Sequence, residues 1–129
     1  MSQTNRTNQR SATGRRGENI AASWLTGQGY RVVARNWHCL YGELDLVAEH
    51  DGVTIAVEVK TRRGDAMGAP EEAITPAKRR KLITTLQTYL MERGEEQTPY
   101  RIDVIAIHLD QSGRWLKTVH YPSAVALDE

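Results

Sequence analysis

Apolar residues recur at helical spacing in two segments of the chain. Within residues 16–26 they return every three or four positions, and Gly27 and Gly29 follow the run. The second run follows Thr75-Pro76, a capping residue and a proline typical of a helix start, and Gly94 ends it. Side chains three or four positions apart share one helix face. We therefore predict two amphipathic helices, with apolar stripes at Ile20, Ala21, Trp24 and Leu25 and at Leu82, Ile83, Leu86, Tyr89 and Leu90.

Five shorter segments have the pattern of β-strands. Apolar and charged residues alternate within residues 43–49, and residues 53–60 are rich in apolar, β-branched residues. The hairpin signal Asp51-Gly52 separates these two segments. A turn at Gly113 separates the last two strands. The predicted strands are residues 30–36, 43–49, 53–60, 101–109 and 115–121. The order α-β-β-β-α-β-β predicts an α/β fold, a single domain whose mixed sheet is flanked by helices.

Charge is distributed unevenly along the chain. The 129 residues suit one domain and include 17 basic and 16 acidic side chains, but the first 17 positions hold four arginines and no acid. Residues 1–13 have almost no apolar side chain, so we predict a disordered basic tail followed by a domain over residues 14–129. The remainder is net acidic. Nucleic acid would therefore have to be bound through a local basic patch, the tail or a metal.

Composition excludes several classes of protein. The single Cys39 excludes an internal disulfide, and one cysteine with four scattered histidines argues against a structural zinc site. No apolar run approaches the roughly 18 residues of a membrane span. We expect a cytoplasmic protein that does not contact membranes. No glycine-rich loop of the Walker or Rossmann type occurs, so use of ATP or NAD is not supported.

Glu18 is an acid on an apolar helix face. It shares that face with Ala21, Ala22 and Leu25, at spacings of three, four and seven residues. A carboxylate in such a position must be paired, protonated or bound to a ligand. The alternative is an acid in the first turn that interacts favourably with the helix dipole.

A second set of charged residues lies on the predicted hairpin. Glu58 and Lys60 are two positions apart and project from one strand face, and Asp45 on the paired strand can point to the same face. Two adjacent carboxylates repel unless a proton or hard cation lies between them, and Mg²⁺ takes such oxygen ligands. With a lysine nearby, these are the parts of a metal-assisted phosphodiester hydrolase. The alternative is a solvent-exposed face with a weak ion pair.

Basic residues cluster after this strand. Residues 60–81 contain seven basic and three acidic side chains, and four of the basic ones open the second helix, where the dipole disfavours cations. A helix start together with cations favours a phosphate, so we predict a nucleic-acid-binding patch, the alternative being a solvated helix face. Its predicted binding residues are Arg62, Arg63, Lys78, Arg79 and Lys81.

Two further features, an aromatic pair and a charged pair, have interpretations other than catalysis. Trp37 and Tyr41 precede Asp45 and could stack on a base, although packing over the sheet end is expected for at least one of them. Arg101 and Asp103 project from one side of a strand and are expected to form a structural ion pair.

The charged residues lie within motifs that resemble a known family. Asp45 followed by Glu58-Val59-Lys60, with Glu18 on a preceding helix, resembles the PD-(D/E)XK nuclease superfamily. More closely, the chain from Gly14 to Tyr121 is similar to the bacterial YraN family, whose members are mostly uncharacterised and described as endonucleases. The segments that carry this resemblance are Gly17-Glu18, Gly29-Tyr30, Asn36, Gly42-Glu43-Leu44-Asp45-Leu46, Val57-Glu58-Val59-Lys60-Thr61-Arg62, Gly68 and Arg101-Ile102-Asp103-Val104.

The resemblance implies a restriction-endonuclease-like fold and a catalytic set similar to that of archaeal Holliday-junction resolvases. That set corresponds here to Glu18, Asp45, Glu58 and Lys60, although Leu44 replaces the proline of the superfamily motif. The implied ligands of Mg²⁺ or Mn²⁺ are Asp45, Glu58 and the Val59 carbonyl, with Glu18 holding a second ion or a metal-bound water. Lys60 would position or activate the attacking water, and Glu43 would support or replace Asp45.

These observations predict a metal-dependent endonuclease that hydrolyses phosphodiester bonds. DNA is expected as partner rather than RNA, with branched or damaged DNA as the candidate substrate, and the resolvase-like relatives imply a homodimer. The alternative is a non-catalytic module that keeps the nuclease fold to bind nucleic acid or a protein. Clustered carboxylates favour the enzyme, because they would repel the phosphates that a binding module must attract.

Overall fold

The computed structural model describes residues 11–64 and 74–123. Its elements follow the predicted order α-β-β-β-α-β-β, so the α/β fold is confirmed. The two helices are α1 (Ala12–Gly27) and α2 (Pro76–Glu92), and the five strands are β1 (Arg31–Cys39), β2 (Gly42–His50), β3 (Val53–Arg63), β4 (Tyr100–Leu109) and β5 (Trp115–Tyr121).

All five strands form one mixed sheet in the order β1-β2-β3-β4-β5. The pairs β1–β2, β2–β3 and β4–β5 are antiparallel, whereas β3 and β4 are parallel. A parallel pair needs a long crossover, and α2 lies in that connection. The hairpin predicted at Asp51-Gly52 joins β2 to β3, and both turn residues have positive φ, 52° and 78°.

The helices cover opposite faces of the sheet, because alternate residues of β3 pack against different helices. Ala56 packs with α2, whereas Ile55 and Val57 pack with α1. The core on the α2 face consists of Leu44, Val47, Ala56, Leu82, Leu86, Tyr89, Leu90 and Ile102. The core on the α1 face consists of Ala21, Leu25, Leu46, Ile55, Val57, Ile105, Ile107 and Leu109.

Element boundaries differ from the prediction where backbone pairing continues beyond the apolar pattern. Helix α1 begins at Ala12 rather than residue 16, because the Ser11 side chain caps it by accepting from the Gly14 amide at 2.9 Å. Residues 11–13 of the predicted tail therefore belong to the helix start, and residues 1–10 lie outside the described part of the chain. Strand β3 continues to Arg63 because Thr61, Arg62 and Arg63 pair with β4.

The boundaries of α2 agree closely with the sequence. Thr75 is its N-cap, with its hydroxyl accepting from the Lys78 amide at 3.1 Å, and Pro76 is the first residue. Four of the five predicted stripe residues are buried, and only Ile83 is half-buried. Neither helix in the described segments is long and apolar enough to cross a membrane.

Candidate active site

Glu58 is a buried carboxylate that contacts two lysine ammonium groups. It lies on β3 with 8% of its surface exposed. Its Oε2 atom is 2.8 Å from Lys78 Nζ and 3.4 Å from Lys60 Nζ. The alternative of a solvent-exposed strand face is therefore wrong for Glu58. A buried carboxylate requires compensating charge, and Lys78 of α2 and Lys60 of β3 supply it.

The two lysines respond differently to this shared carboxylate. Burial lowers the pKa of Lys60 below its ordinary value, since the opposing charge of Glu58 does not outweigh burial and the positive charge of Lys78. Burial also acts on Lys78, but the hydrogen bond and charge of Glu58 prevail, with a contribution from the charge of Asp45, and they raise the pKa of Lys78. Lys78 is therefore the more firmly protonated cation at Glu58.

Asp45 lies beside Glu58 on the neighbouring strand, as the hairpin predicted. Its Oδ2 atom accepts a hydrogen bond from the Val59 amide at 2.9 Å, just beyond the last paired residues, Leu46 and Val57. The side chain thus takes the place of a strand carbonyl as acceptor for β3. This contact fixes the half-buried carboxylate of Asp45 against the backbone between Glu58 and Lys60.

Glu18 is held on the inner side of α1 by a side chain of β1. It is 7% exposed, and its Oε1 atom accepts from Asn36 Nδ2 at 3.1 Å. The interpretation of Glu18 as an acid of the first helical turn is wrong, because α1 begins at Ala12 and its first turn contains no acid. Asn36 has a φ of 52°, a left-handed conformation that asparagine tolerates better than most residues.

Two clefts meet at Asp45 and Glu58. The α2 cleft, of about 530 Å³, is lined by Gly42, Glu43, Asp45, Glu58, Ala77, Lys78, Lys81, Leu82 and Thr85. The α1 cleft, of about 400 Å³, is lined by Ser11, Thr13, Gly14, Glu18, Asp45, Glu58, Val59, Lys60, Thr61 and Arg62. All four residues of the predicted catalytic set thus line the α1 cleft, and the predicted supporting residue Glu43 lines the α2 cleft.

The donor set can be compared with the requirements of a divalent ion. Among the described residues, no three His, Cys, Asp or Glu side chains converge closely enough to hold a metal. Mg²⁺, however, is typically held by one or two carboxylates together with waters and substrate oxygens. Asp45 and Glu58 supply two such carboxylates at the junction of the clefts, so their chemistry fits Mg²⁺ or Mn²⁺. A bound ion would have to share Glu58 with Lys78.

The predicted basic patch divides into several environments. Lys81 is exposed and lines the α2 cleft, Arg62 lines the α1 cleft, and Arg79 is half-buried on α2. Lys78 forms an ion pair with Glu58. Arg63 instead donates to the Gln111 carbonyl and to Thr13 Oγ1, both at 3.1 Å, so its guanidinium ties the start of α1 to the β4–β5 turn.

The aromatic residues before Asp45 have separate environments. Trp37 packs edge-to-face on Tyr89 of α2, with ring centroids 5.3 Å apart, which confirms that at least one of the pair packs over the sheet. Tyr41 is 51% exposed in the β1–β2 turn, next to Gly42 of the α2 cleft. Of the two rings, Tyr41 is the one accessible for stacking.

The Arg101–Asp103 ion pair is confirmed. Asp103 is fully buried and accepts from Arg101 Nε at 2.9 Å, from the Ser123 amide at 2.8 Å and pairs with His120 Nε2 at 2.8 Å. Arg101 also donates to the Tyr30 hydroxyl at 3.2 Å. These residues join α1's C-terminal connection, β4 and β5, and they do not line either cleft of the candidate site.

Two features of the site were not predicted from the sequence. Asn36 was noted only as part of the family resemblance, and its contact with Glu18 depends on a backbone conformation that the sequence does not specify. The ion pair of Lys78 with Glu58 joins residues 20 positions apart, across the crossover from β3 to α2. Its available signal was a cation in the first turn of a helix, where the dipole disfavours it.

Comparison with known proteins identifies similar chains. The profile of the uncharacterised protein family UPF0102 matches residues 17–107, a range that contains Glu18, Asp45, Glu58, Lys60 and Lys78. A UPF0102 protein of Roseiflexus castenholzii is 42% identical over 120 residues, covering 92% of this chain and 97% of the relative. One of Syntrophotalea carbinolica is 43% identical over 122 residues, covering 95% and 98%. UPF0102 protein STH1475 of Symbiobacterium thermophilum is 46% identical over 101 residues, covering 78% and 86%.

Proposed function

The chain belongs to the uncharacterised protein family UPF0102, and we propose that it is a nuclease that uses Mg²⁺ or Mn²⁺ to hydrolyse phosphodiester bonds of DNA. The observation that supports this proposal most is the meeting of Glu18, Asp45, Glu58 and Lys60 at one cleft, from three different elements. The sequence motifs predicted that the chain belongs to a mostly uncharacterised bacterial family, and the match to UPF0102 agrees with this prediction. Its assignment to the PD-(D/E)XK superfamily is part of the proposal.

In this proposal each charged residue has a distinct task. A bound divalent ion would lower the pKa of a water and neutralise charge that develops on the phosphate. The carboxylates of Asp45 and Glu58, with the Val59 carbonyl, would hold the ion. Lys60 would orient the attacking water by hydrogen bonding and offset negative charge on the phosphate oxygens. The water would give up a proton to solvent as its oxygen bonds to phosphorus, the bond to the leaving sugar oxygen would break, and that oxygen would take up a proton from solvent.

Glu18 would act from α1, which borders the same cleft. Its contact with Asn36 holds the carboxylate in a fixed direction, from which it would accept a hydrogen bond from a water or hold a second ion. Glu43 would support Asp45 from the α2 cleft.

The DNA backbone would be bound by the basic residues that border the clefts. Lys81 on α2 and Arg62 on β3 are the candidates that line the clefts, and Arg79 adds charge near the N-terminus of α2. Branched or damaged DNA is the proposed substrate class, and a two-fold dimer would place two sites on one junction.

A second candidate function is a non-catalytic module that binds nucleic acid or a protein. The pairing of Glu58 with Lys78 favours it, because a salt bridge satisfies this carboxylate without a metal. The net acidic charge of the chain beyond its first 17 residues also suits a protein partner better than a polyanion.

Cleavage of labelled DNA in Mn²⁺ tests the proposal. The substrates are a single strand, a duplex, a flap and a four-way junction, incubated with the wild type, Lys60→Ala and Glu58→Gln. Lys117→Ala, which changes an exposed lysine of β5, is the matched control. We expect cleavage by the wild type and the control, and a loss of about 10²-fold or more in the two site variants.

Two other outcomes would contradict the enzyme. If no substrate is cut while Lys60→Ala still binds DNA, the non-catalytic module is the correct function. Equal cleavage by the wild type and both site variants would show that a contaminating nuclease produced the signal.

A further inference from the structure

Lys78 supplies most directly the positive charge at the buried carboxylate of the site. Its Nζ atom is 2.8 Å from Glu58 Oε2, closer than Lys60 Nζ at 3.4 Å. Asp45 lines the same α2 cleft as Lys78 and Glu58. Asp45, Glu58, Lys60 and Lys78 together carry no net charge when all are ionised. A divalent ion that binds Glu58 would therefore meet an ammonium group already in contact with its ligand.

The position of Lys78 on α2 allows its ammonium group to lie either at Glu58 or in the α2 cleft. The backbone amide of Lys78 is fixed by the Thr75 cap at 3.1 Å. Its side chain, in contrast, is 38% exposed, whereas that of Glu58 is 10% exposed. The lysine stem is flexible, so the ammonium can turn from Glu58 into the α2 cleft without movement of the helix. The exposed Lys81 lines that cleft as well, so a released Lys78 would add to positive charge there.

We propose that Lys78 competes with the divalent ion for Glu58 and, once displaced, binds a phosphate of the nucleic acid in the α2 cleft. This inference rests on the proposed function. It explains why a lysine lies in the first turn of α2, where the helix dipole opposes it. It also makes metal binding and polyanion binding mutually supportive, because each removes the ammonium from Glu58 or holds it away.

The competition has a measurable size. The apparent dissociation constant of a ligand equals its intrinsic value divided by the fraction of molecules that can bind it, so a pair formed about nine-tenths of the time weakens binding about tenfold. Removing the ammonium should therefore tighten Mn²⁺ binding by about that factor. Lys78→Arg should weaken Mn²⁺ binding, because the guanidinium of arginine can bind the Glu58 carboxylate through two hydrogen bonds and so competes more strongly with the ion.

The test measures Mn²⁺ binding by isothermal titration calorimetry with the full chain in the absence of DNA. Lys78→Gln removes the ammonium, Lys78→Arg keeps a cation, and Lys117→Gln is the matched control, because this exposed lysine of β5 lines neither cleft. We expect tighter binding by Lys78→Gln, weaker binding by Lys78→Arg, and a wild-type constant for Lys117→Gln. Circular dichroism verifies the fold of each variant.

The outcomes separate this inference from the proposed function. If the wild type binds Mn²⁺ and Lys78→Gln binds it equally or more weakly, the competition is wrong while the metal site stands. If neither the wild type nor either Lys78 variant binds Mn²⁺, the metal-dependent function itself is wrong and the inference with it. Should Lys78→Gln fail to fold, the arginine variant decides: weaker Mn²⁺ binding supports the competition, and equal or tighter binding overturns it.

Discussion

Asn36 shows how a single residue determines the direction of a candidate catalytic side chain. It lies within β1, has a φ of 52° and donates its amide hydrogen to Glu18 at 3.1 Å. The residues on either side of Asn36 are paired with β2, Arg35 with Leu46 and Trp37 with Leu44. The strand is thus irregular at the position where it meets Glu18. This irregularity turns the amide of Asn36 toward α1.

Two substitutions at position 36 separate the backbone conformation from the amide contact. Both substitutions remove the amide that contacts Glu18. Asn36→Ala also places a residue that tolerates positive φ poorly at this position, whereas glycine in Asn36→Gly adopts positive φ without strain. We expect Asn36→Ala to be less stable than Asn36→Gly by about 1 kcal/mol, the cost of a left-handed conformation for an ordinary residue. Urea unfolding of both variants measures this difference. Equal stabilities would show that the backbone at Asn36 is not strained.

At the level of secondary-structure elements, Gly17 determines how closely α1 approaches β3. A Cβ atom at this position would lie 1.8 Å from Thr61 Oγ1 and 2.9 Å from Thr61 Cβ. The absence of a side chain at Gly17 therefore lets the helix lie against the strand. Because Glu18 follows directly, this contact also brings its carboxylate to the α1 cleft.

Gly17→Ala should push α1 away from β3. We expect a loss of about 1 kcal/mol or more in the free energy of unfolding, because overpacking costs more than the higher helix propensity of alanine returns. Gly27→Ala is the matched control within the same helix, since its Cβ would meet no atom within 4 Å. Adding Thr61→Ala to Gly17→Ala should restore much of the lost stability. Urea unfolding that gives the same stability for Gly17→Ala and Gly27→Ala would refute the close contact.

The elements themselves could be predicted because their signals are local. The Thr75-Pro76 helix start and the Asp51-Gly52 turn are each encoded by neighbouring residues, and both are confirmed. The start of α1 was missed because Ser11 caps a polar first turn without apolar periodicity. The hairpin also predicted Asp45 beside Glu58. The ion pair of Lys78 with Glu58 could not be predicted, because it depends on how the crossover places α2 on the sheet.

At the scale of the whole molecule, Asp103 connects β4 with β5 and with the aromatic residues beneath α1. Its fully buried carboxylate bonds Arg101 on β4, His120 on the edge strand β5 and the Ser123 amide after β5. His120 in turn lies edge-on to Trp24 of α1 at 5.4 Å and to Tyr30 at 5.9 Å. The carboxylate thus holds β5 against β4 and holds the aromatic residues beneath α1 together.

This network makes stability depend on pH in the acid range. Burial acts to raise the pKa of Asp103, but the hydrogen bonds from His120, Arg101 and Ser123 outweigh it and hold the pKa below its ordinary value. A folded-state pKa below the unfolded value, which is about 3.9 for aspartate, means that the ionised carboxylate stabilises the fold above that pH. The stabilisation is lost as the pH falls through the folded-state pKa.

Asp103→Asn should therefore change both the stability and its pH dependence. At pH 7 we expect a loss of about 3 kcal/mol, because Arg101 would keep a partly buried charge without its counter-ion. Below pH 5 the variant should lose stability less steeply than the wild type, since it lacks the carboxylate that protonates. Urea unfolding at several pH values between 3 and 7 measures both effects. Asp51→Asn, in the exposed hairpin turn, is the control, and its stability should follow that of the wild type at every pH. If the stability of Asp103→Asn falls with pH as steeply as that of the wild type, Asp103 does not govern acid unfolding.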